Sequence, residues 1–163
     1  MKKKKVSRRK KYELTDETRR VQGVTVHRIR AVRRFWIIRK GTLGGFVESE
    51  RNLSHAGNCW IDRDAAVIGD ARVIQDAYIA EQAIVSGQAR IGGGAAMLER
   101  SQATDQVRMS GMAHGMGTAD IRGKARLAGT AMVTDVTVLG GHVRGGFIGN
   151  PSVDKSLLKA EPR

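Results

Sequence analysis

The sequence predicts an all-β fold, a triangular solenoid of short parallel strands. Three observations predict it. Residues 58–147 divide into fifteen consecutive hexads with no insertion or deletion, among them Asp64-Ala-Ala-Val-Ile-Gly69, Asp70-Ala-Arg-Val-Ile-Gln75 and Lys124-Ala-Arg-Leu-Ala-Gly129. Their second position is small, as in Ala65, Ala71, Ala77 and Ala83, and their fourth is mostly aliphatic, as in Ile61, Val67, Val73, Ile79 and Leu139. Their fifth, sixth and first positions hold glycine or polar residues, the chemistry of turns. Positions two and four of a strand point to one side and position three to the other. Each hexad is therefore one short strand and one corner, and three hexads close a coil of eighteen residues. About five coils follow, roughly 24 Å of stack at about 4.8 Å per coil.

Composition suits this narrow core. Aromatic residues make up only 4% of the 163, while glycine contributes 20. The single cysteine, Cys59, falls at an inward position, which excludes an internal disulfide and a cysteine-rich metal site. No apolar run approaches a membrane span. The first lysines are not followed by an apolar stretch of the signal-peptide kind, so a cytoplasmic location is expected.

The net charge of +13 is unevenly placed. Residues 1–11 carry eight basic and no acidic residues, whereas residues 52–147 carry nine of each. The segment 1–11, with Lys2, Lys3, Lys4, Lys5, Arg8, Arg9, Lys10 and Lys11, reads as a disordered basic arm. It is either a solubilising tail or an arm for a polyanion, whose phosphates release counterions when neutralised. No apolar anchor accompanies it, so a membrane partner is not expected.

Residues 12–51 do not follow the period. Val24 and Val26 alternate with polar neighbours, Phe35-Trp36-Ile37-Ile38 is a short apolar run, and Gly23, Gly41, Gly44 and Gly45 punctuate the segment. Two or three strands are expected, forming a cap that covers the open first coil. Arg33 and Arg34 help to make this cap basic. Residues 148–163 leave the period again. Ser152 as N-cap, with Val153 and Leu157 on one face, predicts a capping helix or a frayed tail.

Stacking at eighteen residues sorts the outward positions into faces. One face collects Arg72, Arg90, Arg108, Arg126 and Arg144, every arginine at position three in the block. Chance would gather five on one face about once in a thousand arrangements. Such a column is a candidate anion-binding strip, since planar guanidinium groups pair bidentately with phosphate; its bland alternative is a set of solvated stems covering the sheet. A second face carries Trp60, Tyr78, Ala96, His114 and Met132, with Leu98, Met112 and Met116 at nearby corners. Apolar density of this kind predicts a covered surface, either under the chain's own head or against other subunits, the latter slightly favoured. The third face has Ala66, Ile84, Gln102, Asp120 and Val138.

The spacing of an aliphatic residue and a small one four positions on, as in Val67 to Ala71, resembles the hexapeptide-repeat family. That resemblance covers about 90 of the 163 residues. It implies a left-handed parallel β-helix and a homo-oligomer, a trimer by preference. The preceding segment, with Tyr12-Glu-Leu-Thr-Asp-Glu-Thr18, Arg28-Ile-Arg-Ala31 and Lys40-Gly-Thr-Leu-Gly-Gly-Phe-Val-Glu-Ser-Glu-Arg-Asn-Leu-Ser54, resembles the head of repeat proteins common in bacteriophage and prophage genomes. Some of those are labelled acyltransferases on fold grounds alone.

The four histidines, His27, His55, His114 and His142, sit at different repeat positions and do not converge on one coil, so neither a zinc site nor another cofactor is expected. His114 is the one candidate general base. The leading expectation is a non-enzymatic, phage-associated solenoid that binds nucleic acid or an acidic protein through the basic arm, the cap and the arginine column. The alternatives are an acyltransferase using His114, and a structural virion or assembly component. Few aromatics lie among the basic residues, so base stacking is not indicated.

Overall fold

The computed structural model describes residues 9–149. It is all-β, with nineteen strands in three sheets and no α-helix among the described residues. The expected capping helix at 152–161 and the arm residues 1–8 lie outside this range. No helix among the described residues is long and apolar enough to cross a membrane.

Most solenoid strands are two residues long, and each hexad donates its backbone to the next coil. The Arg72 amide donates to the Ala89 carbonyl at 2.9 Å and the Ile74 amide to the Ile91 carbonyl at 3.0 Å. Inward Ala65, Val67, Ala77 and Ile79 are completely buried. The corners turn at position six, where the backbone enters the left-handed region whether or not a glycine is present: φ is 58° at Gln75, 62° at Glu81 and 58° at Asp105. These three side chains accept from the amide one coil away: Gln75 from Gly93, Glu81 from Glu99 at 2.6 Å, and Asp105 from Gly123 at 2.9 Å. That hydrogen bond offsets a conformation that costs an L-residue about 1 kcal/mol or more.

The solenoid has six coils rather than five, because the first begins inside the segment expected to be cap. Strand β1 (Tyr12–Val21) and β2 (Val24–Ala31) form an antiparallel hairpin, and β3 (Leu43–Val47) pairs antiparallel with β2. On its other edge β3 runs parallel to the repeat, with Phe46 opposite Ala66. Leu53 bridges Val73, and Trp60 lies opposite Tyr78. The first two of these pairs are separated by 20 residues and the third by 18, so this coil holds an extra loop that hides its period. Asn52 fastens the corner before that loop from a fully buried position. Its amide donates to the Gly69 carbonyl at 3.0 Å and the Ala71 carbonyl at 2.9 Å, and its oxygen accepts from the Ser49 amide.

The last coil departs in the opposite sense. Asp120 is opposite Thr137, Arg126 opposite His142 and Met132 opposite Phe147, at separations of 17, 16 and 15 residues. The expectation of uniform hexads to residue 147 therefore fails after Thr134. Val138 takes the place opposite buried Ile121, while Leu139, expected inside, is 73% exposed. The tight corners at Gly141 and Gly146, with φ of 88° and 85°, allow each unit to lose a residue.

The head packs on the first coil. Tyr12, Ile29, Ala31, Phe35 and Ile38 join the solenoid core around Leu53, Trp60 and Ile61. Gly44 permits the approach: a Cβ there would lie 2.6 Å from the Trp60 ring and 2.6 Å from the Ile61 carbonyl. The Tyr12 hydroxyl lies 2.7 Å from the Leu53 carbonyl, and its ring stacks on His55 with centroids 4.2 Å apart.

Candidate polyanion-binding face

Parallel pairing in register places equivalent residues directly opposite each other. Arg72 faces Arg90, Arg90 faces Arg108, and Arg108 faces Arg126. The next residue of each strand, Val73, Ile91, Met109 or Leu127, is buried, so all four arginines point outward and are exposed. The column thus has four members in register, about 14 Å from first to last at the inter-strand spacing. Arg144 is not the fifth, because the shortened last coil puts His142 opposite Arg126. Arg144 instead occupies the following corner, where its carbonyl accepts from the Thr130 amide at 3.1 Å. A groove of about 360 Å³ nevertheless gathers Arg90, Arg108, Arg126, His142 and Arg144 along one edge of the face.

Several arginines elsewhere are paired with carboxylates. Arg28 pairs with Glu17 at 2.9 Å, Arg30 with Glu13 at 2.5 Å, and Arg122 with Asp120 at 2.5 Å. No ladder arginine has a carboxylate within 4.0 Å among the described residues. Adjacent charges about 5 Å apart repel by roughly 0.8 kcal/mol even at the dielectric of water. A bound anion would remove that repulsion.

Arg9 is exposed, and Lys10 pairs with Glu50 at 2.9 Å. Lys11, expected in a solvated arm, is completely buried. Its ammonium donates to the carbonyls of Gly57 and Cys59 and to the Cys59 sulfur, so it is withdrawn from any anion. Burial lowers the Lys11 pKa and raises that of the Cys59 thiol. Lys2, Lys3, Lys4, Lys5 and Arg8 lie outside the described residues. Arg33 and Arg34 belong to the loop between β2 and β3, where the Arg33 guanidinium sits 5.9 Å from the Phe35 ring.

The apolar column keeps the expected register through Trp60, Tyr78, Ala96, His114 and Met132. Its upper part is covered by the chain's own head. Trp60 is fully buried with Phe35 at 5.4 Å, and Tyr78 meets the edge of Trp36 at 6.1 Å. Leu98, Met116 and Met132 are half-buried further down, and Met112 is exposed. His114 stands between Ala96 and Met132, with no carboxylate in its column to orient or activate it as a base. A second groove runs along the corner of Glu81, Glu99 and Asp135. There Glu81 and Asp135 are already engaged by the backbone amides of Glu99 and Thr118.

No protein-family model matches the chain, and no curated protein matches it. Fold and site define a parallel β-solenoid with a column of arginines on one face, none of them paired with a carboxylate among the described residues.

Proposed function

We propose that this is a non-enzymatic, phage-associated solenoid that binds a linear polyanion, nucleic acid in the first place, along its arginine face. The observation that carries the reading is the ladder itself: four guanidinium groups in register, exposed and without carboxylate partners among the described residues. Guanidinium donors fit phosphate oxygens in a planar, bidentate way. With no aromatic in the column, recognition is of the backbone and tolerant of sequence. Self-association, a trimer by preference, would use the lower apolar face around Met116 and Met132.

The test is fluorescence anisotropy of a single-stranded oligonucleotide over a salt series. Four phosphate contacts give a slope of about −3 in log affinity against log salt. The double variant Arg108→Ala/Arg126→Ala is expected to make that slope shallower by between one and two units. No binding at low salt sinks the proposal. A polyglutamate chain that displaces the oligonucleotide at equal charge would move the assignment to an acidic protein.

A further inference from the structure

The loop between β2 and β3 ends in a feature that the arginine face does not use. Phe35 and Ile38 form a reciprocal backbone pair, the Phe35 amide donating at 3.1 Å and the Ile38 amide at 2.8 Å. Both side chains are buried in the head. The two residues between them are the tip of a tight turn, and both are large, apolar and open to solvent: Trp36 is 51% exposed and Ile37 70%. Trp36 has a φ of 45°, in the left-handed region that hairpin turns ordinarily give to glycine or asparagine. A bulky residue there is an outlier, and its contact with Tyr78 leaves half of the side chain in solvent; such outliers cluster at functional sites.

The tip has a cationic collar. Arg33 and Arg34 precede it and Arg39 and Lys40 follow it, with no acidic residue between Val32 and Val47. None of the four cations is in an ion pair among the described residues. The surface that fits must therefore offer an apolar layer beneath a plane of negative charge. Nucleic acid offers a π-face for Trp36 but nothing for Ile37. An anionic bilayer serves both: tryptophan favours the interfacial layer, an aliphatic neighbour enters just below it, and arginine and lysine stems reach back to the headgroups. We propose that the Trp36–Ile37 tip, within its collar of Arg33, Arg34, Arg39 and Lys40, is a contact for the surface of an anionic membrane. The contact is peripheral and requires no spanning segment. A membrane partner is not expected from residues 1–11, which lack an apolar anchor; this turn supplies one elsewhere in the chain.

The test uses the full chain with phosphatidylcholine vesicles, with and without phosphatidylglycerol, read by co-sedimentation and tryptophan emission. Trp60 is fully buried, so emission quenched by acrylamide reports Trp36. Anionic vesicles are expected to shift that emission to the blue and protect it from the quencher, while neutral vesicles leave it unchanged. Trp36→Gly relieves the left-handed φ but gives up the contact with Tyr78, so its urea midpoint is measured beside the parent's; it is expected to weaken vesicle binding roughly tenfold or more. Each of Arg34→Gln and Arg39→Gln should weaken it about fivefold. Trp36→Gly should leave the oligonucleotide affinity of the ladder unchanged, and Arg108→Ala/Arg126→Ala should leave the vesicle-induced blue shift unchanged. The proposal is overturned if Trp36→Gly/Ile37→Ser binds anionic vesicles as tightly as the parent, since the basic arm alone would then account for adsorption. It is also overturned if neutral vesicles bind equally well, or if only an oligonucleotide changes the Trp36 emission.

Discussion

The ammonium of Lys11 lies 2.8 Å from the carbonyl oxygen of Cys59 and 3.3 Å from its sulfur, in a site with no solvent contact. It joins the start of β1 to the loop of the first coil. A lysine at the end of a basic run thus acts as a structural clamp.

Lys11→Met is therefore expected to destabilise the fold by about 2–4 kcal/mol, since it leaves the buried Cys59 carbonyl and the partly buried Gly57 carbonyl without this donor. Lys10→Ala removes only an exposed pair with Glu50 and should cost less than about 1 kcal/mol. Urea denaturation separates the two. Equal small losses would mean that the buried ammonium contributes little.

The arginine ladder carries a stability cost of its own. Arg108 stands between Arg90 and Arg126, so Arg108→Thr removes two like-charge contacts and places a residue of high strand propensity in the sheet. It is expected to raise stability by about 0.5–1 kcal/mol at low ionic strength. The gain should shrink towards zero near 1 M salt, where screening acts within about 3 Å. Thermal denaturation at both salt concentrations checks this, and a gain independent of salt would refute the electrostatic account.

Much of this architecture is legible in the residues. The eighteen-residue register is visible through Met132 because inward Ala and Val, Ile, Met or Leu recur with no insertion or deletion, interrupted only at Cys59, Ser101 and Gly115. It is lost after Thr134 because Val138 and Leu139 are adjacent aliphatics and either could fill the inward place. A residue deleted at a corner leaves no mark in composition, and so Arg144 looked like a fifth rung. The first coil is concealed by its extra loop. Nothing in a run of cations distinguishes buried Lys11 from its solvated neighbours. Phe35-Trp36-Ile37-Ile38 reads as a strand because the turn at its centre contains none of the residues that usually announce one.

His55 gives the head a dependence on pH. Its Nδ1 accepts from the Lys11 amide at 3.3 Å, and burial holds its pKa below the ordinary value of 6.5. The unfolded chain therefore takes up the proton first. The stability contribution is complete above about pH 6.5 and falls as pH drops from there through the folded-state pKa. His55→Asn retains an acceptor without the titration and should flatten the stability profile below about pH 6.5. An unchanged profile would place the titration elsewhere.

The unequal coils fix how this protein can change in length. The middle of the rod repeats every eighteen residues, while the longer first turn and the shortened last turn are each fitted to their ends. Duplication of one middle unit within a gene would add a rung and about 4.8 Å without disturbing either terminus. Loss of one would do the reverse. The extent of the cationic face is thus a heritable quantity that changes in whole steps, independently of the head that closes the rod.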